Sequence, residues 1–251
     1  MFLSAVPRLW IDGMEFGVRV LRGGENPWAV PEQVGLYYRE LASLLSLDTV
    51  DIDIEAAIAG FRGAAPAGLA DAAALEKLLG DPELEARISK GIEAIMGALG
   101  ERALALSVPG PGRLARQFLT GAVDEDALDD LSLAITALVR AVFRPGIAFL
   151  RVTEEDPRAL EFLSPLTNVA AHYGCTSLLV LLGEAAASDE ATAFNIIYRE
   201  ASAGDGAVLP EAWWSDGGLP PEAHSLYAKI PPGGTPEDVL ARLSDIARKM
   251  A

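Results

Sequence analysis

Residues 103–121 read ALALSVPGPGRLARQFLTG: an apolar run breaks at Pro109, Gly110, Pro111 and Gly112, and the chain restarts with Arg113 and Arg116. The run ALALSV has the character of a strand, and the segment after the break reads as a helix. A strand that ends in a turn and hands over to a helix is where α/β folds place ligands, because the first N–H groups of the helix have no partner within it. Ser107 at the strand end, Gly110 in the turn and Arg113 in the helix are therefore candidates for binding a small, anionic molecule, since guanidinium grips planar anions with two hydrogen bonds. The alternative for both arginines is a solvated helix face paired with nearby acids, and Arg116 fits that description better than Arg113.

The alternation of strand and helix extends outward on both sides. Upstream, PEQVGLYYRELASLLSL opens on Pro31 and sets Val34, Tyr37, Tyr38, Leu41, Leu44 and Leu45 at helical spacing before the strand TVDIDI. Two helices follow, parted near Gly80, Asp81 and Pro82. Downstream come the helix DEDALDDLSLAITALVRAVF, the strand IAFLRV, the helix DPRALEFLSPLTNVAAHYG, the strand SLLVLL, a helix around residues 188–192, and the strands FNIIYR and SLYAKI. The breaker PPGG and a helix capped by Thr235 close the sequence. Six or seven strands alternating with helices predict a parallel sheet, and runs as apolar as SLLVLL predict strands covered on both faces. No shift of composition marks a linker, so one domain is expected over residues 31–251, after an irregular or short-strand lead-in over residues 1–30. The length of 251 residues accommodates a single α/β barrel, with a doubly wound sheet as the alternative.

Composition excludes several functions. The 36 acidic against 20 basic residues give a formal charge of −16, which repels nucleic acid and anionic membrane surfaces. The same charge favours solubility in a chain whose mean hydropathy is +0.25. Apolar runs fall short of the roughly 18–20 residues of a membrane span, and the first residues lack the basic start of a signal peptide, which predicts a cytoplasmic protein. Cys175 is the sole cysteine, so neither an internal disulfide nor a multi-cysteine zinc cage is available.

Three segments resemble the superfamily of uroporphyrinogen decarboxylases and corrinoid or cobalamin-independent methyltransferases. SVPGPGRLARQFLTG is similar to that superfamily's second-strand segment. DDLSLAITALVRAVFRPGIAFLRVTEED resembles its long helix and acid-tipped strand, and KIPPGGTPEDVLARLSDIARKM resembles its last strand, turn and terminal helix. The resemblance spans most of residues 36–251 and implies a TIM-type (β/α)8 barrel, shortened so that one or more strands could be lacking. It also implies a methyltransferase-like or lyase-like activity on a small organic substrate or methyl carrier, with a corrinoid or methyltransferase protein as partner. The metal-binding pattern of the zinc methyltransferases, His-x-Cys plus a distant Cys, is not matched. His172 and Cys175 lie three apart and precede the strand SLLVLL. The arginine-rich start and Gly-His-Gly ending of the decarboxylases are also absent, which argues against porphyrinogen decarboxylation. Chemistry without metal, or with a metal held by carboxylates alone, is the expectation; no cofactor is identified.

In a barrel the reactive groups stand at the C-terminal ends of the strands. There the sequence offers Asp53, Ser107, Glu154, Glu184, Arg199 and Lys229. Glu154 and Asp53 are the candidate catalytic residues, either of them for acid–base work; Ser107, Gly110, Arg113, Glu184, Arg199 and Lys229 are candidates for binding the substrate. Asp51 and Asp53 alternate with Ile52 and Ile54, so both aspartates face one side, and a charge inside a barrel is functional or paired. Each acid after a strand could instead cap the next helix, and for Asp156 before Pro157 that is the expected role. Trp213 and Trp214 are expected to pack on the rim, and His224 to be exposed. Two functions stand: an enzyme with Arg113 as anion anchor, or a catalytically degenerate binding subunit of a methyl-transfer system. A homodimer is compatible with either.

Overall fold

A computed structural model describes residues 6–63, 68–188, 193–200 and 206–250. The first strand, β1 (Leu9–Asp12), runs straight into helix α1 (Met14–Arg22), and a 3-10 turn over Pro27–Ala29 leads to α2 (Pro31–Leu44). The second strand, β2 (Thr49–Asp53), is followed by α3 (Ile54–Arg62), α4 (Ala72–Leu79) and α5 (Pro82–Leu99). Then come β3 (Ala103–Pro109), α6 (Pro111–Phe118), α7 (Glu125–Val142) and β4 (Ile147–Glu154). A 3-10 segment over Pro157–Leu163 and α8 (Ser164–Tyr173) lead into β5 (Thr176–Leu181), and a 3-10 turn over Gly183–Ala187 follows it. The chain finishes with β6 (Ile196–Glu200), β7 (Gly206–Val208), α9 (Trp213–Asp216), β8 (Ser225–Lys229) and α10 (Pro236–Met250).

Local chemistry starts the helices where the sequence suggests. Asp71, Asp81 and Asp124 each accept a backbone N–H from the first turn of α4, α5 and α7, and Asp156 does the same for the 3-10 segment after β4. Proline occupies the start of α2, α5, α6 and α10, where its missing N–H costs nothing. Thr235 Oγ1 accepts the Asp238 N–H at 3.2 Å and so opens α10. The helix expected around residues 188–192 falls largely outside the described residues; the 3-10 turn over Gly183–Ala187 precedes it.

All strand pairs are parallel, and the sheet order is β1-β8-β7-β6-β5-β4-β3-β2. The order goes round the sequence once, which is a (β/α)8 barrel and not a doubly wound sheet. Three expectations need correcting. Eight strands are present among the described residues, so none is lacking. The lead-in over residues 1–30 holds the short strand allowed for there, β1, but also the helix α1, and with β1 in first place the strand before Pro109 is the third, not the second. The two strands not placed from the sequence, β1 and β7, have four and three residues, too few for a period to register. Among the described residues the ladder does not close between β1 and β2; the seam is crossed by a side-chain bond, Trp10 Nε1 donating to Asp51 Oδ2 at 2.8 Å.

Strand parity sorts the residues into two cores. Val50 and Ile52, Leu104 and Leu106, Leu150 and Val152 point outward under the helices. Trp10, Ala105, Phe149, Leu178, Val180 and Tyr198 fill the barrel interior, with Trp10 and Phe149 edge to face at 5.2 Å. Above this apolar filling the same inward parity brings up polar residues, and there the site begins.

Candidate functional site

The polar layer is organised by Arg151, buried in the middle of β4. Its Nε donates to Asp51 at 3.1 Å, Nη1 to Thr153 at 3.2 Å and to the Tyr227 hydroxyl at 3.0 Å, and Nη2 to Ser107 at 2.6 Å and to Asp12 at 3.4 Å. Those bonds use all five guanidinium N–H groups. Tyr227 in turn donates to Asp12 at 2.6 Å. β1, β2, β3, β4 and β8 thus meet on one cation. Burial pushes the Asp12 carboxyl up, but Arg151, the Tyr227 hydroxyl and Lys229 more than offset it, so its pKa lies below the ordinary value. Asp51, equally buried, is raised to about 6: burial outweighs the pull of Arg151.

This layer is the floor of a cavity of about 460 Å³ at the C-terminal ends of the strands. One wall carries Asp53 and Glu55, a second carries Arg113, and a third carries Lys229. Met14, Val18, Ala56 and Ala59 supply an apolar side. Asp53 plays both roles weighed for it. Its Oδ1 accepts the Ala56 N–H at 2.9 Å and caps α3, while its carboxyl lines the cavity. Burial raises this carboxyl to about 7; Glu55 adds to the rise, the Ala56 N–H opposes it, Asp12 adds and Arg151 opposes. A carboxyl poised near neutrality at a strand end can take up and return a proton in the physiological range.

Arg113 and Lys229 also line the cavity, each already matched by acids. Arg113 Nε donates to Glu55 at 2.6 Å and Nη1 to Glu155, whose other oxygen takes Arg116 at 2.8 Å. Lys229 donates to Glu15 at 2.7 Å. Ser107 reaches the cavity too, held by Arg151.

The remaining candidates are elsewhere. Glu154 has the outward parity of Leu150 and Val152, so its fully buried side chain projects away from the cavity towards α6. There Oε2 accepts the Gly112 N–H at 3.0 Å, and Oε1 accepts those of Arg113, Glu155 and Asp156 at 3.0, 2.6 and 2.9 Å. Burial still raises its carboxyl to about 7 against the pull of those N–H groups. The anion site expected at the Gly110 turn is therefore occupied by the chain's own carboxylate, 42 residues away. Gly110 and Gly112 are glycines because a Cβ on either would stand 2.3 or 2.7 Å from a Glu154 oxygen. Glu184 is exposed on the 3-10 turn after β5, and Arg199 donates to the Ser188 carbonyl; neither lines the cavity. His172 is exposed at the end of α8, and Cys175 is buried just before β5, at the opposite end of the strands from the cavity. Trp213 is buried beneath Arg242, and His224 is exposed, as expected.

Arg151, Asp12 and Tyr227 were missed by the sequence reading. The signal for Arg151 was present: a lone cation inside the apolar strand IAFLRV, two residues from Phe149 and Thr153 on the same face. No group of three or more His, Cys, Asp or Glu side chains among the described residues is arranged to hold a metal ion, and no described helix is long and apolar enough to cross a membrane. No protein-family model matches the chain, and no curated protein matches it.

Proposed function

We propose that the chain is a barrel enzyme acting on a small organic molecule held above the Arg151 floor, with Asp53 accepting and returning a proton. The observation that carries this reading is Asp53 itself: a cavity-lining carboxyl at a strand end, raised to about 7 and fixed in direction by the Ala56 N–H. Arg151 cannot shift to meet a ligand without breaking its bonds to five side chains, so it acts as a rigid support. The reaction class we assign is the methyl transfer that the sequence resemblance implies, with the protein working in the cytoplasm. On this reading Asp53 governs the protonation of the group that gains or loses the methyl.

The test follows label from a panel of small methyl donors and acceptors, isotopically enriched in the methyl carbon, by NMR. Transfer by the wild-type chain and a loss of about 10²–10⁴-fold in Asp53→Asn is the expected result. Undiminished transfer in the variant removes Asp53 from the mechanism, and absence of transfer across the panel removes the reaction class. A second reading, a non-catalytic partner subunit of a methyl-transfer system, is favoured by the anion anchors being neutralised from within the chain. It predicts a stoichiometric complex with a corrinoid or methyltransferase protein, unaffected by Asp53→Asn.

A further inference from the structure

The charges around the cavity do not balance. Among the described residues, Arg151 is spent on Asp12, Asp51 and neutral partners, Arg113 is held by Glu55 and Glu155, and Lys229 is held by Glu15. A fourth cation, Arg19, is exposed at the rim and donates to the Gly234 carbonyl. Asp53 takes a backbone N–H and makes no ion pair with any of these groups. When it is ionised, and with Arg116 counted on the second oxygen of Glu155, six carboxylates face five cationic side chains across this site. Beside it Ala56, Ala59, Val18 and Met14 form the apolar wall. An anion entering here would meet guanidinium groups already committed and a surplus of negative charge, while its other natural anchor, the α6 N-terminus, is filled by Glu154.

We infer that the cavity recognises a small organic cation, an ammonium group carried on an apolar body, with the charge set against Asp53 and the hydrocarbon against Ala56 and Ala59. This rests on the reading of the cavity as the substrate site and reverses the anionic ligand expected from Arg113. The groups that set the ionisation of Asp53 are the acids Glu55 and Asp12 and the bases Arg151 and Arg113, with the Tyr37 and Tyr38 phenols of α2 nearby. A cation beside Asp53 favours its ionised form, so binding releases a proton at neutral pH.

The experiment uses three probes of equal length: n-butylammonium, n-butanol and butyrate, titrated into the full chain while the backbone amides of α3 are followed by NMR. Butylammonium at pH 8 is expected to bind at least tenfold tighter than butanol, with butyrate weakest. Between pH 8 and pH 5.5 its affinity should fall by about 30-fold, as a carboxyl titrating near 7 is neutralised; butanol should show no such fall. Asp53→Asn keeps the helix cap and should erase the preference for the cation. Ala59→Phe, which fills the apolar wall, should weaken both butylammonium and butanol. Equal or tighter binding of butanol or butyrate at these amides overturns the cationic class and leaves the cavity as the substrate site. Silence of the α3 amides towards all three probes overturns both. A cation preference that survives in Asp53→Asn overturns the assignment to that carboxyl.

Discussion

Replacing Asp53 by Asn should make the protein more stable while removing the proton transfer proposed for it. The carboxyl rises from an ordinary 3.8 to about 7 on folding. A folded-state pKa above the unfolded one means that the folded chain binds more protons between those values, so stability falls as pH climbs from about 4 through 7. The shift of about three units, at 1.36 kcal/mol each, sets a ceiling of about 4 kcal/mol for the cost of ionising Asp53 in the folded protein. Its side chain keeps some contact with the cavity, so about 2–4 kcal/mol is expected at pH 8. Asn accepts the Ala56 N–H as well as Asp does, so the cap of α3 is retained and does not confound the comparison. Urea denaturation of both proteins at pH 4 and pH 8 measures the effect. The variant should be more stable by that amount at pH 8, and the gap should shrink to under about 1 kcal/mol at pH 4. A variant that is less stable at pH 8, or a gap that does not change with pH, would refute the claim that burial and Glu55 hold this carboxyl near neutrality.

Other substitutions test the supports of the site. Arg151→Met should cost about 3–5 kcal/mol in urea denaturation at pH 8, since it strands Asp12 and Asp51 without their cation; a loss under 1 kcal/mol would show the network to be dispensable. Arg113→Gln removes a positive charge close to Asp53, so an NMR titration of the Asp53 carboxyl carbon should move above about 7, and an unchanged midpoint would contradict the proposed coupling. Gly110→Ala should destabilise by about 1–3 kcal/mol because the new Cβ meets Glu154, whereas Gly121→Ala, with open space around it, should be neutral within about 1 kcal/mol in the same thermal melts. Glu154→Gln turns an N–H donor towards backbone N–H groups and should lower stability by about 2–3 kcal/mol with ligand binding unchanged; lost binding in a folded variant would restore Glu154 to the site.

Much of the barrel was legible because its strands are long, apolar and separated by capped helices. ALALSV, IAFLRV and SLLVLL announce themselves, and the alternation of Asp51 and Asp53 with Ile52 and Ile54 sets both aspartates on one side, which in the structure is the inside. Glu154 was misplaced for want of the same test. Counting by twos from Leu150 puts it outside, whereas its position at a strand tip suggested the mouth. The Gly110 turn could not have been judged locally, since what fills it comes from the next strand. Arg151 could have been found, because a lone cation within a barrel strand must gather carboxylates, and Asp51 shares a strand face with the cavity candidate Asp53. Asp12 was hidden by the brevity of β1, and Tyr227 by its resemblance to ordinary core packing.

Among the described residues the seam between β1 and β2 is unlaced, and it lies beside two of the cavity's lining residues, Asp12 and Asp53. In a hoop of strands stitched all the way round, a wider mouth means tearing backbone hydrogen bonds. Here the hoop is a clasp, fastened across the gap by the Trp10–Asp51 bond. Substitution at Trp10 therefore offers a route to a wider mouth that leaves each of the laced strand pairs intact.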